Sequence, residues 1–463
     1  MDLDPVLLAR VQFAFTIVFH IVFPAFTIGL SAWIATLIGM TLWTKDPHYE
    51  NLAAFWTKIF AVSFAMGVVS GIVLTYQFGT NWSEFSRMVG NVIGPLIGYE
   101  VLTAFFLEAS FLGILLFGRG RVSPGLHFLA AVLVAVGTAI SAFWIISANS
   151  WMQAPAGYEM RDGVAHATDW MAVIFSPTFP MRLAHMLLAA YITTAFVVLG
   201  IGARYWLKGL HLREAETMVK MALGILVVLT PLQILVGDEH GLLALEYQPA
   251  KVAGLEAHWN GDEPAPLVLF ALPNAEAERN DYEIAIPHLG SLILTHDWNG
   301  LYEGLTSFAA EDRPPLLPIF LSFRIMVGIG FLMLAIAWWG AFRWMRGRLF
   351  EAGWYMSAAS LTWPLGFVAV IAGWITTEMG RQPWIVTGLL RTEDAISPVG
   401  AGDILASLLA FVLVYTVVFA SGLYFINRLL LKGPMRPTGE HGVANRPISA
   451  AAEPARIAMT EGE

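Results

Sequence analysis

Apolar residues recur along the chain in runs of twenty or more, separated by shorter polar stretches. A bilayer-spanning helix needs about 20 mostly apolar residues. Nine such segments are predicted: Leu7 to Trp43, Asn51 to Gln77, Val92 to Phe117, Leu126 to Met152, Phe179 to Leu207, Met218 to Val236, Leu316 to Trp344, Met356 to Thr377 and Ile404 to Leu431. The first is too long, and its flank of Asp2 and Asp4 too acidic, for a cleaved signal peptide, so it should stay as a helix. No internal repeat of the inverted-repeat transporter kind is visible. The expected fold is all-α, a polytopic membrane protein. Residues 1–237 would carry six spans, 238–316 a long loop, 317–431 three more spans, and 432–463 a disordered tail rich in Pro and Gly.

Composition agrees with the pattern. Hydrophobic side chains make up 57% and charged ones only 13%, where a soluble domain carries about 25% charged residues. The absence of cysteine excludes disulfides, iron–sulfur clusters, zinc thiolates and a cysteine nucleophile. The net charge of -9 argues against a nucleic-acid partner. That charge is unevenly placed. Residues 238–316 hold 14 acidic and 3 basic residues, and the rest of the chain is left slightly basic. Arg119 and Arg121, then Arg204, Lys208 and Arg213, then Arg343, Arg346 and Arg348 fall in alternate loops. By the positive-inside rule those loops are cytoplasmic. The N-terminus and the 238–316 loop are then expected outside and the C-terminus inside. A loop of that length is expected to be functional.

Ionisable residues within spans are costly, and each is a functional candidate. His20, Lys58, Glu100, Glu108, His185, Arg324 and Glu378 qualify. His185 and Met326 lie roughly 9 Å and 15 Å from the outer ends of their spans. His and Met are the donors of a six-coordinate, electron-transferring haem, and Arg324 beside Met326 suits a propionate. Singly, such a His more often serves as an interhelical hydrogen-bonding group, and such a Met as packing. Glu100 and Glu108, about 80° apart on a straight helix, share a broad face. With Lys58 they form either a proton series or an interhelical salt bridge. Glu378 precedes Gly380-Arg381-Gln382-Pro383-Trp384, where Gly and Pro end the helix and Arg381 is a second propionate-type cation. His127 is expected at an interface, and His48, His166, His211, His240, His258, His288, His296 and His441 in loops or the tail. The residues alone leave three classes open: a haem oxidase, a haem electron conduit, and a haem-free proton-coupled transporter.

From Arg10 to about Leu431 the chain resembles subunit I of the cytochrome bd-type quinol oxidases. The resemblance rests on Arg10-Val11-Gln12-Phe13-Ala14-Phe15 leading to His20, Phe78-Gly79-Thr80-Asn81-Trp82, the Glu100 to Glu108 helix, Gly237-Asp238-Glu239, Phe323-Arg324-Ile325-Met326, and Gly380 through Trp384. It implies helical bundles around three haems, with quinol oxidised at the outer face and dioxygen reduced to water without a pumping step. By resemblance, His185 and Met326 are the axial ligands of the low-spin haem b, with Arg324 beside it. His20 and Glu378 ligate the two high-spin haems, in an order the resemblance leaves open. Arg381 and Trp374 contact cofactor and Glu100 adjoins the oxygen-reducing pair. Lys58, Glu108 and Ser141 carry protons. Lys251 and Glu256, with Asp238, bind quinol. The loop lacks a large insertion before the seventh span, like the short-loop form that includes the cyanide-insensitive oxidases. Two haem b and one haem d are implied, the third being b instead in some short-loop proteins. The implied partners are a second polytopic subunit, in some members a small single-span subunit, ubiquinol or menaquinol, dioxygen and the lipid of a bacterial inner membrane.

Overall fold

A computed structural model describes residues 4–351 and 353–434; the greater part of the expected tail lies outside them. The long helices are α1 (Pro5–Thr44), α2 (Pro47–Thr80), α3 (Ser83–Glu100) running through a π turn (Val101–Phe105) into α4 (Phe106–Phe117), and α5 (Pro124–Gln153). After the hairpin β1 (Tyr158–Arg161) and β2 (Val164–Ala167) and the short α6 (Trp170–Ile174) come α7 (Phe179–Leu207) and α8 (Leu212–Tyr247). A folded loop follows: α9 (Pro249–Glu256), the hairpin β3 (Leu267–Asn274) and β4 (Arg279–Ile286), and α10 (Leu289–Thr295). The chain then enters α11 (Leu316–Met345), α12 (Gly353–Ser360) and α13 (Leu365–Met379), a third hairpin of β5 (Trp384–Val386) and β6 (Leu390–Arg391), and α14 (Ala401–Lys432). Among the described residues, eight helical stretches are long and apolar enough to cross a membrane, and α12 with α13, bent by 43°, makes a ninth span.

Local chemistry sets several boundaries. Three spans open alike, with a capping side chain followed by proline. Asp4, Asp46 and Ser123 each accept a backbone N–H of the first turn, and Pro5, Pro47 and Pro124 occupy the position whose N–H has no helical partner. The bend between α12 and α13 falls at Leu361-Thr362-Trp363-Pro364, where proline cannot continue a helix. Two spans outrun their apolar runs the farthest. The third begins at Ser83 rather than Val92, because the polar residues before Val92 form an interfacial first part with Glu84 and Arg87 paired at 2.7 Å. The sixth continues to Tyr247, so Asp238, expected at the start of the loop, lies within α8.

The helices alternate between two sides. On one, here the loop side, the hairpins and α9 are tied to the helix ends. The Thr387 N–H donates to the Met152 carbonyl, that of Ser397 to Asn81, and that of Ser83 to Ser397 Oγ. On the far side Arg119 pairs with Glu50 at 2.8 Å and Arg213 with Asp46 at 2.5 Å. The main core gathers Leu30, Ile34, Trp56, Phe60, Phe196 and Leu223 from α1, α2, α7 and α8. α1 and α7 approach so closely that a Cβ on Gly29 would strike the side chain of Thr194. α7 and α11 each pack on α8 and α13, α1 packs on α2, α5 and α7, and α3 and α4 pack on α5.

Candidate functional site

The densest polar cluster is buried on the loop side, where α5, α7, α9 and α13 meet. Asn149 donates to Glu378 Oε1 at 3.0 Å, and Arg381 donates to Glu378 Oε2. Arg182, three residues before His185 on α7, donates to Asn149 Oδ1. Lys251 Nζ donates to Gln153 Oε1 at 3.1 Å and Gln248 Oε1 at 3.2 Å, with its aliphatic stem against Gly380. Arg182, Lys251 and Arg381 are all buried, and among the described residues Glu378 is the one carboxylate bonded into the group. Burial, reinforced by Arg182 and opposed by Glu378, pushes Lys251 down to about 7. Burial likewise lowers Arg381, with Glu378 opposing. Arg381 keeps Nε and Nη1 buried without a hydrogen-bond partner. Buried cations in excess of carboxylates, with donors left over, are the chemistry of an anion site.

Three of the four candidate axial ligands, His185, Met326 and His20, sit against a glycine of a neighbouring helix. A Cβ on Gly237 would lie 3.3 Å from the His185 ring, one on Gly373 2.9 Å from Met326 Sδ, and one on Gly71 3.2 Å from the His20 ring. His185 Nε2 lies 3.0 Å from Gln233 Nε2, while its Nδ1 is buried without a partner. His20 Nδ1 lies 3.0 Å from Ser70 Oγ. Among the described residues no three His, Asp or Glu side chains gather as an ion site. The orphaned imidazole nitrogen, the glycine clearances and the uncompensated cations fit haem with its propionates.

Arg324 joins two roles that the sequence reading kept apart. Its Nη2 donates to Glu256 Oε2 at 2.6 Å and its Nε to the Val268 carbonyl at 2.5 Å. Lys251 and Glu256 therefore belong to different clusters at the two ends of α9. Trp374 lies half-buried on α13, one residue beyond Gly373.

Glu100 and Glu108 face one strip of α5. Ser141 Oγ donates to Glu100 Oε1 at 2.7 Å, and a Cβ on Gly137, one turn away, would lie 2.7 Å from Glu108 Cγ. The π turn between the two glutamates is the reason. It takes up one extra residue, so the pair behave as seven steps apart, about 20° rather than about 80° around the axis. Glu108 Oε1 is buried without a hydrogen-bond partner. Lys58 is half-buried on α2, which touches α4.

Two histidines expected in loops are on helices. His240 lies on α8 with its ring centroid 5.8 Å from that of His185. His48 opens α2, buried, with Nε2 2.8 Å from Thr217 Oγ1. Sequence reasoning also missed Arg182, Asn149 and Gln233. Arg182 had a visible signal as a cation in the same apolar span as His185; Asn149 and Gln233, uncharged, had none.

A profile of the cytochrome bd terminal oxidase subunit I family matches residues 8–434. Cytochrome bd ubiquinol oxidase subunit 1 of Bacillus subtilis is 36% identical over 93% of this chain and 94% of its own length. Cytochrome bd-II ubiquinol oxidase subunit 1 of Escherichia coli is 30% identical over 95% of this chain and 100% of its own length. The bd oxidase structure from Geobacillus thermodenitrificans superposes with a TM-score of 0.86 at 30% identity, covering 93% of this chain and 99% of that one.

Proposed function

Because the chain belongs to the cytochrome bd terminal oxidase subunit I family, we propose that it is the haem-bearing subunit of a bacterial inner-membrane complex that oxidises quinol and reduces dioxygen to water. The observation that carries this reading is the buried excess of positive charge around Glu378, together with the three glycine-faced donors His20, His185 and Met326. Haem, when bound, supplies the one-electron transfers and the open iron position that oxygen needs.

The chain's residues then divide the work. His185 and Met326 would hold the low-spin haem b, with Arg324 beside it. His20 and Glu378 would hold the two high-spin haems, Asn149 and Arg381 fixing both oxygens of Glu378, and Trp374 contacting cofactor. The unspent N–H groups of Arg381 are suited to a propionate. Quinol would bind on the loop side, oriented by Lys251 and Glu256 and releasing protons through Glu256 and Asp238. On the opposite course, Lys58 would admit protons from the far side and pass them to Glu108 and then Glu100, which Ser141 holds in place. Electrons taken from one side and protons from the other separate charge without a pump. The loop side and the N-terminus are then external and the C-terminus cytoplasmic. A second polytopic subunit completes the complex, with a small single-span subunit in some assemblies, and ubiquinol or menaquinol is the reductant. Two haem b are proposed, with haem d or a further haem b as the third.

One absorption series on the purified complex tests the reading, recorded with and without dithionite and carbon monoxide. The expected outcome is a low-spin b band, a component that responds to carbon monoxide, and loss of the low-spin band in His185→Ala and Met326→Leu. A colourless protein, or an unchanged difference spectrum in both variants, would overturn it.

A further inference from the structure

The hairpin of β3 and β4 carries a second surface, graded from charged to apolar along its length. Its height against α11 is fixed at two points. At the open end the Val268 carbonyl is bonded to Arg324, eight residues into α11 and so about 12 Å below the start of that helix. At the tip Glu278 pairs with Arg313 at 2.7 Å, just before α11 begins. The hairpin therefore lies along the first turns of α11 with its open end toward the bilayer interior. One face rests on protein: Val268 and Ala271 pack with Ala257 on Phe320, and Asn280 accepts from Trp259 Nε1 and donates to the Ala257 carbonyl.

The remaining side chains follow that height. The tip holds Glu276, Glu278, Arg279 and Asp281. Next comes Tyr282, 79% exposed, the residue type that prefers the headgroup level, with the exposed Glu283 beside it accepting from Asn280 Nδ2 at 2.7 Å. Deeper lie Phe270, Ile284 and Ile286, all exposed, with Ile284 at 60%. Register shifts around Phe270 break the alternation of β3, so Leu269 and Phe270 are exposed in succession. In water such a two-stranded ribbon would be an aggregation hazard. The helix it lies along likewise exposes Leu317 and Ile325.

We propose that this hairpin is an interfacial membrane anchor, its open half immersed among the acyl chains of the loop-side leaflet, Tyr282 at the headgroups and its charged tip in water. It would pin the quinol loop to the lipid from which a quinol arrives, so it rests on the membrane reading of α11 but not on the haem assignments.

The chain has no cysteine, so single cysteines report cleanly. Phe270→Cys, Ile284→Cys, Ile286→Cys and, as controls, Glu276→Cys and Glu278→Cys would carry a nitroxide in the whole complex in phosphatidylethanolamine and phosphatidylglycerol nanodiscs. The signal of the unsubstituted complex is subtracted. Collisional relaxation by oxygen and by a water-soluble nickel chelate is then compared. The expected result is an oxygen-to-nickel ratio several-fold higher at 270, 284 and 286 than at 276 and 278, with unchanged haem spectra. Equal ratios would show the hairpin in water. Labels shielded from both reagents would show another subunit covering it, and shielding that appears only on adding quinone would show a site for the quinone tail. Any of these three overturns the proposal.

Discussion

Lys251 shows how burial converts a common side chain into a switchable one. With its nitrogen held by Gln153 and Gln248 and its neighbours largely cationic, it releases its proton near pH 7 rather than at the ordinary 10.5. Between those values the unfolded chain binds the extra proton and the folded chain does not, so this residue makes stability rise with pH across that window. Below about 7 both states carry the proton and its cost is constant. Lys251→Met should flatten that slope, read as the thermal unfolding midpoint of the solubilised complex from neutral to alkaline pH; a slope identical to that of the unsubstituted protein would remove Lys251 as its source. At this scale the sequence singled out candidates where an ionisable group interrupted an apolar run, as at His185, Glu108 and Arg324, though it passed over Arg182. It was silent on Asn149 and Gln233, because an uncharged amide does not stand out by cost and its importance depends on which neighbour folding delivers.

Among elements, the π turn has the clearest consequence. Apolar periodicity cannot reveal one extra residue within a span, so the sequence placed Glu100 and Glu108 on a broad face. The folded helix aims both at the Gly137 to Ser141 strip. That contact leaves no space for a methyl group at Gly137, and overpacking of this kind costs about 1–3 kcal/mol unless a side chain yields. In Gly137→Ala the yielding group is Glu108. Quinol-driven oxygen consumption is expected to fall several-fold with haem content intact, as measured in an oxygen electrode alongside a haem assay; full turnover would show that the placement of Glu108 is not critical. The ends of α3 and α8 teach a related lesson. Hydropathy finds where lipid stops, whereas a helix stops where its backbone loses partners, and α8 gains packing beyond Val236 through Ala244 and Leu294.

For the whole molecule, the span count and the existence of a long acidic loop were legible because both follow from apolar length and charge distribution. How the loop folds back was not, since α9 lies between two clusters that are distant in sequence. It buries all of Lys251 through Glu256 within an eight-residue helix. One end is tied to Gln153 and set against Gly380, the other to Arg324. A segment anchored at both ends cannot open without breaking the two anchorages together, so its local opening should approach the free energy of a much larger unit. In deuterated buffer the backbone amides of residues 252–256 should exchange slowest of all those between α8 and α11, outlasting the longer β3 and β4 ladder. Exchange there as fast as at Asp281 would mean that the two clusters come apart independently, and that this short helix does not connect them.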